Sequence, residues 1–388
     1  MTARHLYVHV PFCARRCTYC DFSIAVRRTV PVAEYLAALG REIARTGKPG
    51  PLETAYLGGG TPSKLGGAGI AALGRLLGLE REPVEFTIEA NPEDVSAESV
   101  RAWVRAGVNR VSLGAQSFDD RVLAWMHRTH DAARIGEAVR AARSGGIANL
   151  SLDLIFAIPE SSGRDWRRDL DAAIALEPDH VSLYGLTVEP GTPLFRQTER
   201  GDVAPDGGRS GNNSSEAPPA GSRPGTSTIA PDGGRYEEEY LLAHERLGAA
   251  GYAFYEVSNA ARPGKQAVHN RAYWLLEPYL GLGPAAHSFD GSSRWWNEPA
   301  YARWQRRLEQ GRSPVAGHEI LNDHQRRLEA IYLALRTSDG LAVPEPCPPT
   351  LADEVPRWVG AGWASTAGRR LRLTPQGWLR LDELVASI

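Results

Sequence analysis

Tyr7-Val-His-Val-Pro-Phe-Cys13-Ala-Arg-Arg-Cys17-Thr-Tyr-Cys20-Asp-Phe22 is the stretch that decides how this chain is read. A β-type run, His5–Val10, ends at a proline, and three cysteines follow with the spacing C-x3-C-x2-C. Three thiolates can hold three irons of a four-iron, four-sulfur cluster, and the fourth iron is then open to a small molecule. The loop follows a strand, where a β/α barrel places its chemistry. Two other readings stay open. Structural zinc takes four ligands, and His5 or His9 would supply the last; three inert thiols are the other. Cys347, in Pro-Glu-Pro-Cys-Pro-Pro, is read as incidental.

Working outward, five more β-type runs alternate with helical stretches: Thr54–Leu57, Val84–Ala90, Val108–Leu113, Asn149–Ile155 and His180–Leu186. Pro31 suits the first turn of a helix, and Ser96 and Asp131 suit helix caps. Six β-α units in succession imply a parallel sheet with outer helices. Six units fit an open, three-quarter barrel over residues 1–201, with an open doubly wound sheet as the competing architecture. Residues 202–235 are rich in Gly, Pro, Ser and Asn and read as a disordered insertion. An aromatic-rich connecting region follows at 236–309. The end, 310–388, reads as a smaller, mainly helical domain with a winged-helix-like tail.

Composition narrows the function classes. The 388 residues carry 44 Lys and Arg against 46 Asp and Glu, so the whole chain has no pull toward nucleic acid. No apolar run is long enough to cross a bilayer. The first residues lack the pattern of a signal peptide, which reads as a cytoplasmic protein. Four cysteines exclude a disulfide scaffold.

Further candidates stand at the ends of the strand runs. Leu57-Gly-Gly-Gly60-Thr61-Pro62 lets backbone come close to a ligand, because no Cβ intervenes. Glu89, in Thr-Ile-Glu-Ala-Asn-Pro, offers a carboxylate, with a surface salt bridge as the plainer reading. Asp153 lies on an otherwise apolar strand, where an acid is costly unless paired or liganded. His269, in His-Asn-Arg-Ala-Tyr-Trp274, reads by itself as a satisfied structural histidine.

The cysteine spacing, with Tyr19 before the last Cys, resembles the signature of radical S-adenosylmethionine (SAM) enzymes. The wider string around it is similar to the subgroup of oxygen-independent coproporphyrinogen III oxidase and its haem-chaperone relatives. The resemblance covers nearly the whole chain outside 202–235. It implies a [4Fe–4S] cluster on Cys13, Cys17 and Cys20, with SAM on the unique iron. It assigns Tyr7, Gly59 and Glu89 to that SAM. It assigns Tyr19, Gly60, Thr61, Gln116, Arg128 and Asp153 to a second SAM seen in the oxidase. Two departures point from the oxidase to the chaperone branch: Phe22 stands where the oxidase has a further Cys, and only twelve residues precede Cys13. The H-N-x-x-Y-W string belongs to that branch, which implies haem binding at His269, with His287 as a second ligand candidate. The implied partners are haem, haem-acceptor proteins such as respiratory haemoproteins at the membrane, and a flavodoxin- or ferredoxin-type electron donor. The alternative is oxidative decarboxylation of coproporphyrinogen III to protoporphyrinogen IX.

Overall fold

Alternation along the first strand, β1 (His5–Val10), sets the architecture. Successive side chains of a strand point to opposite faces. Leu6, Val8 and Val10 are fully buried on one face, while His5, Tyr7 and His9 occupy the other. The next strands repeat this pattern: β2 (Thr54–Gly59), β3 (Glu85–Ala90), β4 (Arg110–Gln116), β5 (Asn149–Phe156) and β6 (His180–Gly185). Their apolar positions, including Leu57, Ile88, Val111, Leu152 and Val181, belong to one core beneath the helices. Their alternate positions are polar and hydrogen-bond to one another across the inner face, as Tyr56 does to Glu89 and Ser112 to Asp153.

The computed structural model describes residues 3–47, 50–79, 83–200 and 233–388. The part of the insertion at 201–232 lies outside the described residues. β1 to β6 are parallel neighbours in chain order, joined through helices such as Val32–Thr46, Ala97–Arg105 and Ala132–Ser144. The expected caps are present: Ser96 accepts from Ser99 N and Asp131 from Arg134 N.

The aromatic-rich region holds more strand than expected. It supplies β7 (Ala253–Glu256), β8 (Asn259–Ala261), β9 (Tyr279–Leu282), β10 (His287–Phe289) and β11 (Ser293–Asn297). β12 (Val315–Ile320) follows. The sheet runs β12-β11-β10-β9-β1-β2-β3-β4-β5-β6-β8-β7. β9 lies parallel to β1, so a seventh parallel strand joins the six expected ones. The outer strands pair antiparallel and the two ends of the sheet do not meet, which leaves a partial β/α barrel. These strands escape a reading by pattern because they are only three to six residues long. Since β12 pairs with β11, the tail's own elements begin with the helix Asp323–Arg336. That tail adds a three-stranded antiparallel sheet and the closing helix Leu381–Ala386. The buried Arg336–Glu256 pair, at 2.9 Å, ties it to the barrel. Among the described residues, no helix is long and apolar enough to cross a membrane.

Candidate functional site

The cysteine loop leaves β1 at Pro11 and closes on itself. Phe12–Cys13 pairs with Ala25–Val26: Ala25 N donates to Pro11 O at 2.7 Å and Arg27 N to Cys13 O at 2.9 Å. Buried Thr18 clamps the middle, donating its N–H to Met126 O and accepting one from Leu194. The three thiols therefore sit in a built loop at the carboxyl end of the barrel strands. Two polar groups touch the sulfurs. Thr61 Oγ1 lies 3.4 Å from Cys13 Sγ, and Arg128 Nη1 donates to Cys17 Sγ at 3.5 Å. Arg128 is fixed by further bonds to Asn91 Oδ1, at 2.7 Å, and Gly114 O, at 3.0 Å. Burial raises the Cys13 thiol and pushes Cys20 up to about 12. Both stay protonated at neutral pH until a bound metal displaces the proton.

The geometry weighs against zinc. His5 lies at the opposite, amino-terminal end of β1, with Nδ1 2.9 Å from Thr54 Oγ1 and Nε2 2.8 Å from Glu277. His9 Nδ1 meets Tyr7 Oη at 3.1 Å, and its Nε2 donates to Ser23 O at 3.0 Å. Neither imidazole is available to complete a four-ligand site.

The glycine turn is folded against this loop. Gly59 has φ of +110°, and a Cβ there would lie 2.6 Å from the His9 ring. A Cβ on Gly60 would lie 2.7 Å from the Pro11 carbonyl. Glycine is therefore required by close approach of the two loops, which brings Thr61 onto Cys13. Glu89 is no surface salt bridge: it accepts from Tyr56 Oη at 2.8 Å and from Gly59 N at 3.1 Å. Tyr7 stacks on Tyr56 with centroids 6.1 Å apart. Gln116 ends β4 where the register shifts, with φ of +68°, a strained conformation for a residue bearing a side chain. Asp153 accepts from Ser112 at 2.9 Å and Ser151 at 3.2 Å. Burial raises its carboxyl. Tyr19 packs on an apolar cluster with Met126 and Leu194. Tyr7, Gly59, Gly60, Thr61, Glu89, Gln116 and Arg128 thus gather around the cysteine loop. Tyr56 and Asn91 escaped a reading by motif. The signal for Tyr56 was its polar place in the period-two pattern of an apolar strand.

His269 lies elsewhere. It is buried at the amino-terminal end of the barrel, in the helix Val268–Trp274, whose first N–H groups donate to Glu85. Its Nδ1 is 2.7 Å from Thr54 Oγ1 and its Nε2 is 2.8 Å from Tyr273 Oη. Burial lowers its pKa to about 3, so the ring is neutral. One arrangement of protons satisfies the whole chain. Tyr273 O–H donates to His269, His269 Nδ1–H to Thr54, Thr54 O–H to His5, and His5 Nε2–H to Glu277. Both nitrogens of His269, the residue expected to offer an imidazole to haem, are held in this hydrogen-bonded plug at the amino-terminal end of the barrel. Adjacent residues on β11, Trp295 and Trp296, face opposite ways. Trp295 joins the core, while Trp296 stacks on His287.

The partial barrel and the cysteine loop on its carboxyl edge define a radical SAM protein. The radical SAM superfamily pattern matches residues 7–173. The coproporphyrinogen III oxidase of Escherichia coli, a radical SAM enzyme, superposes with a TM-score of 0.77. That match covers 100% of this chain and 90% of the oxidase at 20% identity, which establishes the shared fold. The haem chaperone HemW of Mycobacterium tuberculosis is 36% identical over 403 residues, spanning 99% of this chain and 94% of its own. HemW of Bacillus subtilis is 32% identical over 345 residues, 87% of this chain and 84% of its own. The chain belongs to the HemW haem-chaperone family. Membership implies a [4Fe–4S] cluster and SAM. The residues present fit both: three thiols with hydrogen-bond donors beside them, and a glycine turn held against a carboxylate.

Proposed function

We propose that this chain is a haem chaperone, binding a [4Fe–4S] cluster, SAM and haem and passing haem to acceptor haemoproteins. The end-to-end likeness to the M. tuberculosis chaperone is the observation that carries the haem reading. Cys13, Cys17 and Cys20 hold the cluster. Tyr7, Gly59 and Glu89 receive the SAM bound there. Tyr19, Gly60, Thr61, Gln116, Arg128 and Asp153 line the position of a second SAM. When bound on Cys13, Cys17 and Cys20, such a cluster would supply one-electron reduction of the SAM sulfonium. The chain's own residues hold the pocket ready for it. Thr61 and Arg128 orient two of the sulfurs, Gly59 and Gly60 bring backbone close, and Tyr56 fixes the Glu89 carboxylate. The protein works in the cytoplasm, takes electrons from a flavodoxin- or ferredoxin-type donor, and delivers to respiratory haemoproteins at the membrane.

The test is anaerobic reconstitution of the cluster, titration with hemin, and transfer to an apo-haemoprotein. Stoichiometric binding followed by transfer supports the proposal. Absence of hemin binding overturns it. Conversion of coproporphyrinogen III to protoporphyrinogen IX by protein, SAM and reductant would move the assignment to the oxidase.

A further inference from the structure

We propose that Glu93 is a positioning residue for the cluster: its carboxylate clamps the segment Arg128-Thr129-His130 and so keeps the Arg128 guanidinium aimed at Cys17. This inference rests on the cluster assigned to Cys13, Cys17 and Cys20. Glu93 makes its contacts with Asn91, Thr129 and His130 rather than with a cysteine, so it acts through Arg128.

The short helical turn Pro92–Asp94 follows β3. Asn91, just before it, accepts from Arg128 Nη2 at 2.7 Å and donates through Nδ2 to Glu93 Oε1 at 3.3 Å. The same Glu93 oxygen accepts from the Thr129 hydroxyl. Its other oxygen lies 3.3 Å from His130 Nδ1, and His130 Nε2 donates to Ala115 O at 3.3 Å. Three consecutive residues, 128 to 130, thus converge on one turn beside β3.

Arg128 needs such a clamp. An arginine side chain carries about 2 kcal/mol of rotamer entropy, so holding it on one sulfur takes fixed partners. The backbone alone does not aim it. Arg128 N–H closes the helix Asp120–Trp125 on Leu123 O at 2.8 Å, and His127 takes φ of +60°. That conformation is unfavourable for a residue with a side chain and persists where the surroundings over-determine it. Asn91 and Glu93 supply that constraint. A carboxylate drawn partly out of water is costly unless paired. Burial raises the Glu93 carboxyl, but His130, Thr129, its own amide and the Arg128 charge together bring it down to about 2. It is therefore ionised at neutral pH and attracts the guanidinium it steadies.

Glu93 and Arg128 carry opposite charges, which makes two roles separable by sign. Acting only through space, the Glu93 charge disfavours the reduced cluster, and its removal raises the midpoint potential. Acting through Arg128, its removal lets the guanidinium leave Cys17, and the potential falls because a donor and a positive charge are lost at the sulfur.

The experiment is an EPR-monitored redox titration of the full, anaerobically reconstituted chain without SAM. Glu93→Ala is expected to lower the midpoint potential, in the direction of Arg128→Met and by a comparable amount. Thr129→Val removes one hydroxyl of the clamp, keeps the charge, and should lower it less. In the Arg128→Met background, Glu93→Ala should bring no further fall. Thr54→Val, a destabilising change at the far end of the barrel, should leave the potential where it is. A potential unchanged or raised in Glu93→Ala at wild-type iron and sulfide content would overturn the positioning role, as would a further fall in the double variant. Should Glu93→Ala fail to fold, an unchanged potential in Thr129→Val overturns it in the same way. A wild-type chain that forms no cluster would instead overturn the reading on which the inference rests.

Discussion

Arg128 and Cys17, 111 residues apart in sequence, meet through a 3.5 Å hydrogen bond from guanidinium to sulfur. The bond joins the turn after β4 to the cysteine loop and places a buried positive charge against one cluster sulfur. A donor and a positive charge favour the reduced, more negative cluster. Arg128→Met is therefore expected to shift the midpoint potential of the cluster downward, by roughly 60 mV for each tenfold loss of relative stabilisation. EPR-monitored redox titration without SAM measures it, and an unchanged potential would contradict the role.

Thr54 holds two histidines with one hydroxyl, at 2.9 Å from His5 and 2.7 Å from His269. Thr54→Val keeps the shape and strands both ring nitrogens in a buried site. Each unsatisfied group costs about 1–3 kcal/mol, so a loss of about 2–6 kcal/mol is expected for the two. Urea unfolding measures it. The variant should retain its iron and sulfide, because the plug lies at the far end of the barrel from the cysteine loop.

Glu42 is buried beneath the turn that carries Gly283. It accepts from Gly283 N at 3.0 Å, Asn297 Nδ2 at 2.5 Å and Trp304 Nε1 at 3.1 Å. Those bonds favour the carboxylate, but burial outweighs them and raises the pKa to about 7. The folded chain then holds a proton that the unfolded chain releases near 4.5. The stability linked to that proton is full below pH 4.5 and is lost as pH rises to about 7. The loss is about 3 kcal/mol by linkage. Unfolding free energies of wild type minus those of Glu42→Gln should fall by that amount across the interval, and a flat difference would refute it.

Gly59 tests the glycine turn. Its φ of +110° and the 2.6 Å approach of a Cβ to His9 make alanine strained in two ways. Gly59→Ala is expected to keep the cluster and weaken SAM about tenfold or more, at least 1.4 kcal/mol. Equilibrium binding of SAM to the reconstituted protein reads the effect.

Much of this was legible in the residues. The six inner strands follow from their apolar runs, and β1 matches its expected bounds. Ser96 and Asp131 announce their helices because an oxygen at that position answers an unpaired N–H. The cysteine loop declares itself by spacing. What stayed hidden depends on contacts distant in sequence. β9 is four residues long, and only its pairing with β1 makes it a strand of the barrel. His269 looks like a ligand in its motif, and only Thr54 and Tyr273 reveal that both nitrogens are taken. A Cβ on Gly185, the last residue of β6, would strike Tyr236, so glycine there makes room for a packed ring that only the tertiary structure reveals.

The central claim is that Cys13, Cys17 and Cys20 carry a cluster with one iron open to SAM. Its most direct measurement is the EPR spectrum of the anaerobically reconstituted, dithionite-reduced chain, recorded with and without SAM and accompanied by iron and sulfide analysis. The account predicts one [4Fe–4S] cluster per chain, a signal that changes when SAM is added, and loss of both in Cys17→Ala. Protein without iron or acid-labile sulfide, or a cluster signal indifferent to SAM, would contradict it.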